Sequence, residues 1–233
     1  MNERFAFDLG AVGLKIGETG ADAPSPPLPA TVAGADEAGR GCLAGPLVAA
    51  AVSFEYAAFD QEDYAALDAL DDSKRLRPAR RAALYAEVLC RARDVVVVVC
   101  SPATIDRDGL HRCNLAALAE ALQRLASAPR LALVDGFSLP ACPLPHSAVV
   151  GGDHRSAVIA AASVVAKVTR DRLMHALHAR FPEYGFDRHV GYATAGHRAA
   201  IAAHGVCPQH RVSFASVAYQ QLGLGTEAMS PPE

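Results

Sequence analysis

Acidic side chains stand at three separated places where an apolar run ends and the chain turns. Asp36 and Glu37 close the run that begins at Thr31 and lead into Gly39-Arg40-Gly41. Asp135 follows Leu131-Ala132-Leu133-Val134, and Asp153 follows Val149-Val150-Gly151-Gly152. A soluble protein rarely ends a buried strand on two acids, because an unpaired ion loses roughly several kcal/mol on desolvation. Carboxylates gathered at strand ends raise one another's pKa, and a hard divalent cation removes that cost. All-oxygen ligation favours Mg²⁺ or Mn²⁺ over zinc. Two such ions about 3.5–4 Å apart activate a water and stabilise a departing oxygen in phosphodiester cleavage. Taken singly, each acid is better read as a helix cap or turn residue, Asp153 above all. The set points to metal chemistry.

Other residues suit contact with a nucleic acid. Gly39, Arg40 and Gly41 let backbone groups approach a sugar, and a 2′-hydroxyl both donates and accepts. A bare Gly-Arg-Gly is more often an ordinary turn. Ser73 and Lys74, in Asp72-Ser73-Lys74, suit phosphate contact, as do Lys167 and Arg170 farther on. A helix start and a solvated helix face account for them equally well. Tyr192 precedes a helix and suits stacking on a sugar or base, although half-buried packing tyrosines are common. Of the nine histidines, His189, His197 and His210 lie near these segments, and no metal-ligand spacing joins them.

Composition bounds the rest. The 233 residues are 51% hydrophobic, enough to bury a sizeable core rich in alanine. No run approaches the roughly 20 apolar residues of a membrane span, and no secretory apolar region opens the chain, so the cytoplasm is the expected compartment. Six scattered cysteines form no C-x-x-C pair and read as reduced thiols rather than a zinc site. The net charge of −3 does not announce a nucleic-acid binder. Yet an acidic stretch from Asp60 to Asp72 is followed by a basic one from Lys74 to Arg93, which offers a basic face.

These residues need a scaffold. Residues 1–28, rich in Gly and Pro, read as a flexible arm, and those from 223 to 233 as a tail. Strands are expected at Thr31–Asp36, Leu47–Phe54, Asp94–Cys100 (five valines, read as buried), Leu131–Val134 and Ser147–Val150. Helices are expected at Pro78–Arg91, Cys113–Ala126, Ser156–Arg180, Thr194–Ala203 and Phe214–Leu222. This alternation indicates one α/β domain over residues 29–222 with a helical C-terminal part from about 182.

Gly34-Ala35-Asp36-Glu37-Ala38-Gly39-Arg40-Gly41, followed by Gly45-Pro46, resembles the opening signature of ribonuclease HII. Asp72-Ser73-Lys74, Asp135-Gly136, Gly152-Asp153, Ile159-Ala160-Ala161-Ala162-Ser163, Ala166-Lys167-Val168-Thr169-Arg170-Asp171, Tyr184-Gly185-Phe186, Gly191-Tyr192-Ala193-Thr194 and His210-Arg211-Val212-Ser213-Phe214 follow in the family's order. The resemblance spans roughly residues 31–215. It implies an RNase H-like fold, a mixed central sheet flanked by helices with a C-terminal helical extension. It implies hydrolysis of RNA in RNA–DNA hybrids and cleavage 5′ to ribonucleotides embedded in duplex DNA, giving 3′-hydroxyl and 5′-phosphate ends. Asp36, Glu37, Asp135 and Asp153 match the metal-binding carboxylates, with Mg²⁺ or Mn²⁺ as cofactor. Gly39, Arg40 and Gly41 match the turn that reads the 2′-hydroxyl, and Tyr192 the tyrosine at the junction. Ser73, Lys74, Ser163 and Lys167 fall in blocks that contact substrate. A monomer is expected. Gly151 and Val190 stand where the family usually has lysines, and Arg155 or Arg188 is the expected replacement for that charge. Two other readings remain: a related nuclease of the junction-resolvase type, and a hybrid-binding protein without catalysis.

Overall fold

The strand that carries the first two acids is built from small residues. β1 (Thr31–Ala38) is buried throughout except at Glu37. Successive strand residues face opposite sides. Ala33 and Ala35 join a core with Leu118, Leu122 and Leu125. Gly34 and Asp36 therefore belong to the other face. There a Cβ on Gly34 would overlap backbone atoms of Val158 and Ile159. Only glycine lets the helix that contains them lie directly on the strand.

This is a computed structural model, and it describes residues 3–14, 31–71, 73, 76–214 and 219. The further strands are β2 (Leu47–Glu55), β3 (Asp94–Cys100), β4 (Leu131–Asp135) and β5 (His146–Val149). They form a mixed five-stranded sheet in the order β3-β2-β1-β4-β5. β1 and β4 are parallel with Ala35 opposite Val134, and β4 and β5 are parallel with Asp135 opposite Val149. One step along that register sets Asp36 level with Asp135.

The helices are α1 (Glu3–Ala11), α2 (Gln61–Ala66), α3 (Pro78–Arg91), α4 (Pro102–Asp108), α5 (Leu110–Gln123), α6 (Gly152–Arg155), α7 (Ala157–Arg180), α8 (Phe186–His189) and α9 (Ala195–His204). Their ends follow local chemistry. Pro78 opens α3 at a position where its missing N–H costs nothing. Ser101 caps α4 by accepting from the N–H of Thr104, and Thr194 caps α9 through the N–H of His197.

Four expectations differ from the structure. The opening residues hold a helix rather than an arm over Glu3–Ala11, because Phe5, Leu9 and Val12 form an apolar stripe at helical spacing and are buried. Ser101, Pro102 and Gly109 are start and stop signals for α4, a helix absent from the sequence reading. The valine run of β3 is mostly half-buried, since β3 is an edge strand. The basic stretch is only partly free: Arg91 pairs with Glu87 and Asp63, Arg93 pairs with Glu55, and Arg81 donates to the carbonyls of Ser73 and Leu76, while Arg77 and Arg80 are exposed and Lys74 and Arg75 lie outside the described residues. The expected helix at Phe214–Leu222, the tail and most of the arm lie outside the described residues.

The chain divides into two compact units. The first comprises Met1–Ala38, Ala49–Val98 and Leu115–Val168, and the second Gly39–Val48, Val99–Asn114 and Thr169–Glu233. The first unit's core lies between small residues of the sheet and the leucines of α5. The second is held by smaller clusters, among them Ala44, Met174, Tyr184 and Phe186. Among the described residues no helix is long and apolar enough to cross a membrane, and all six cysteines are free thiols.

Candidate active site

All four expected acids lie in the first unit, at ends of elements that the sheet aligns. Asp36 is 5% exposed. Its Oδ1 accepts from the N–H of Glu37 at 2.7 Å. Burial pushes its carboxyl well above the usual range, and the charges of Glu37 and Asp135 push the same way. A hydrogen bond from Ser163 works against this rise. Ser163 reaches Asp36 because α7 lies on the Gly34 face of β1, the face Asp36 shares.

Asp135 ends β4 half-buried, and its Oδ1 accepts from the N–H of Gly152 at 2.7 Å. That bond holds the start of α6, which carries the buried Asp153, beside the end of β4. The register and this bond together bring Asp36, Glu37, Asp135 and the Gly152-Asp153 step to one region of the unit. Among the described residues, no three acid, histidine or cysteine side chains converge tightly enough to enclose an ion as they stand. One oxygen of Asp36 and one of Asp135 each accept a backbone N–H. The donor set still fits a hard divalent cation. It is all carboxylate, and Asp36 is a buried acid whose ionised form is opposed by both neighbours, a state that a cation relieves.

Ser73 and Ser163 are not surface contacts. Both are buried, and their hydroxyls pair at 2.9 Å. They stand behind Asp36 as a polar support. Lys167, one turn beyond Ser163 on α7, is half-buried. Lys74 lies outside the described residues. Arg155 is exposed at the end of α6 with its guanidinium 4.8 Å from the Phe7 ring of α1.

Gly39, Arg40, Gly41 and Tyr192 belong to the second unit. Gly39 has φ of +97°, and a Cβ there would overlap the Arg170 side chain, so the turn requires glycine. Gly41 is exposed and Arg40 half-buried. Two buried arginines hold this turn. Arg211 donates from Nε to the carbonyl of Gly45 at 2.9 Å, and from one terminal nitrogen to those of Gly39 at 2.7 Å and Arg40 at 3.2 Å. Arg170 donates to the carbonyls of Pro46 at 3.0 Å, Val190 at 2.8 Å and Ala44 at 3.0 Å. Arg170 is therefore no phosphate contact. It is 0% exposed, with its donors spent on backbone. Its bond to Val190, with the N–H groups of Leu43 and Ala44 on the carbonyl of Gly191, fixes the 39–46 turn to the loop that carries Tyr192. Tyr192 is 38% exposed.

Nothing in the sequence marked Arg170 and Arg211 as structural, because a buried arginine bound to carbonyls leaves no partner of opposite charge to find. Asp8 was missed for a similar reason. It lies on α1, fully buried, accepting from the Tyr56 hydroxyl at 2.6 Å and the N–H of Val158 at 3.0 Å.

Comparison with known proteins supplies the family. The family model described as ribonuclease HII matches residues 33–217. The chain belongs to the ribonuclease HII family. A ribonuclease HII from Xanthobacter autotrophicus is 51% identical over 195 residues, covering 84% of this chain and 75% of that protein. The crystal structure of ribonuclease H2 from Pyrococcus horikoshii OT3 matches with a TM-score of 0.68 and 25% identity, over 82% of this chain and 96% of that one. The ribonuclease HII of Archaeoglobus fulgidus, solved as a PCNA complex, matches with a TM-score of 0.65 and 30% identity, over 78% and 93%. The mixed sheet with flanking helices is thus the expected RNase H-like fold, and this ribonuclease HII family member is an endoribonuclease of the ribonuclease H type.

Proposed function

We propose that the chain cleaves the RNA strand of RNA–DNA hybrids and incises duplex DNA 5′ to embedded ribonucleotides, as a monomer in the cytoplasm. The observation that carries this reading is Asp36: a buried carboxyl at the end of β1, level with Asp135 on a parallel neighbour and destabilised as an ion by Glu37 and Asp135. Asp36, Glu37, Asp135 and Asp153 would together hold divalent ions, Mg²⁺ or Mn²⁺. When bound, the ions supply activation of water and charge stabilisation at the phosphoryl group. Ser163, backed by Ser73, fixes the Asp36 carboxylate. Water attacks the phosphorus, the bond to the 3′ oxygen breaks, and the ends are a 3′-hydroxyl and a 5′-phosphate.

Selectivity rests on the second unit's residues. The Gly39-Arg40-Gly41 turn presents backbone groups to the 2′-hydroxyl, and Tyr192 stacks at the ribonucleotide–deoxynucleotide junction. Lys167 and Lys74 contact phosphates, and Arg155 or Arg188 supplies charge in place of the lysines absent at 151 and 190. The deciding assay uses duplex DNA carrying one ribonucleotide, with EDTA and Asp36→Asn as controls. Metal-dependent nicking 5′ to the ribonucleotide, lost in Asp36→Asn, is expected. Equal cutting of an all-DNA junction, or binding without hydrolysis, would replace this reading with a resolvase or a binder.

A further inference from the structure

Three histidines of the second unit, two buried and one half-buried, form a cluster that the proposed chemistry does not use. His197 is 0% and His210 3% exposed. His197 Nε2 lies 3.1 Å from His210 Nε2, and the His189 and His197 rings stack with centroids 4.3 Å apart.

The surrounding bonds fix each tautomer. His210 Nδ1 accepts from the N–H of Cys207 at 2.9 Å, with the Cys207 carbonyl farther away at 3.3 Å. Its proton therefore sits on Nε2 and is given to His197 Nε2. His197 then carries its own proton on Nδ1, which faces the carbonyl of Tyr192 at 2.9 Å. His189 accepts from the N–H of Gly191 on Nδ1 and gives Nε2–H to the carbonyl of Tyr184 at 2.7 Å. Each ring has one donor and one acceptor filled, the pattern of a neutral imidazole for His197 and His210. Burial supports this, holding His197 and His210 down to about 4.

We propose that His210 and His197 form a directional hydrogen-bond relay ending on the Tyr192 backbone, and that His197 is a positioning residue for the Tyr192 loop. This rests on the stacking role given to Tyr192. The loop needs such a fixture. Val190, just before Gly191, is a β-branched residue at φ +42°, a conformation kept only where surroundings enforce it. Arg170 holds the Val190 carbonyl and His189 the Gly191 N–H, while His197 alone of these three takes the carbonyl of Tyr192 itself.

The chain has no tryptophan, so a Tyr192→Trp reporter gives a single fluorophore on the loop. Two near-isosteric variants separate the relay's ends. His197→Asn places an amide donor where Nδ1–H stood and keeps the bond to residue 192. His197→Gln places its amide oxygen near Nε2, where it accepts from His210, and keeps only the His210 side. In the reporter background, His197→Gln should lower tryptophan anisotropy and raise acrylamide quenching, whereas His197→Asn leaves both near the parent. In the Tyr192 chain, His197→Gln should raise KM for the single-ribonucleotide duplex about tenfold with kcat changed little, the loss of one buried hydrogen bond. His197→Asn should restore most of that KM. Equal reporter signals in the two variants, or effects that follow their melting temperatures alone, would overturn the relay. A Tyr192→Ala change without effect on KM, alongside a reporter that responds as described, would instead sink the stacking role and leave the loop fixture standing.

Discussion

Replacing Arg170 with methionine separates two uses of a basic side chain on α7. If the guanidinium contacts phosphate, its loss weakens substrate binding and flattens the salt dependence by about 0.9 in log–log slope. If it is the internal bolt seen here, its loss strips donors from the carbonyls of Ala44, Pro46 and Val190. Each bond from a charged donor contributes about 1.5–3 kcal/mol, offset by the desolvation of the guanidinium. Removing one side of such a buried arrangement costs about 3–5 kcal/mol. That is a large part of the roughly 5–15 kcal/mol that holds a domain together. Urea unfolding reads the first quantity, and binding to a labelled hybrid between 50 and 200 mM salt (about the range where phosphate contacts show) reads the second. Arg170→Met should unfold at markedly lower urea, and its residual folded fraction should bind with an unchanged slope. Arg170→Lys should fall between, because an ammonium cannot span three carbonyls in the guanidinium's fork. A stable Arg170→Met protein with a slope reduced by about one phosphate contact would refute the reasoning.

Gly34→Ala should cost about 3 kcal/mol in stability and depress cleavage, because the new methyl meets the backbone of Val158 and Ile159 rather than a movable side chain; thermal melts and the nicking assay check both. Asp36→Asn should abolish cleavage yet raise the melting temperature at neutral pH, since it removes a buried charge opposed by Glu37 and Asp135. Acid stability has a defined sign. His197 and His210 fall from 6.5 unfolded to about 4 folded, so the unfolded chain binds more protons between those values and stability drops as pH falls from about 6.5 to 4. The full effect is about 3 kcal/mol per ring. Asp8, raised from 3.8 to about 6, acts oppositely and gains stability as pH falls through that window. Asp8→Asn should therefore steepen the loss in melting temperature between pH 7 and 5; an unchanged or shallower slope would contradict it.

The sequence alone determined the family, the five strands and the longer helices α3, α5, α7 and α9, and it singled out four acids that the fold brings to one region. Those features are written in local patterns: apolar runs that stop at an acid, prolines and glycines at element ends, and blocks whose order identifies ribonuclease HII. It misread residues whose meaning depends on what packs against them. Arg170 and Ser73 have the chemistry of phosphate contacts, yet α7 places one among backbone carbonyls and the other against Ser163 behind Asp36. The valines of β3 read as core until the sheet order made that strand an edge. The opening residues read as an arm until Phe5 and Leu9 found a buried place and Asp8 found Tyr56 and Val158, partners 48 and 150 positions away. Only the tertiary structure decided these points. A charge or hydroxyl has the same local signature whether it meets solvent, a phosphate or a carbonyl, and burial chooses among them.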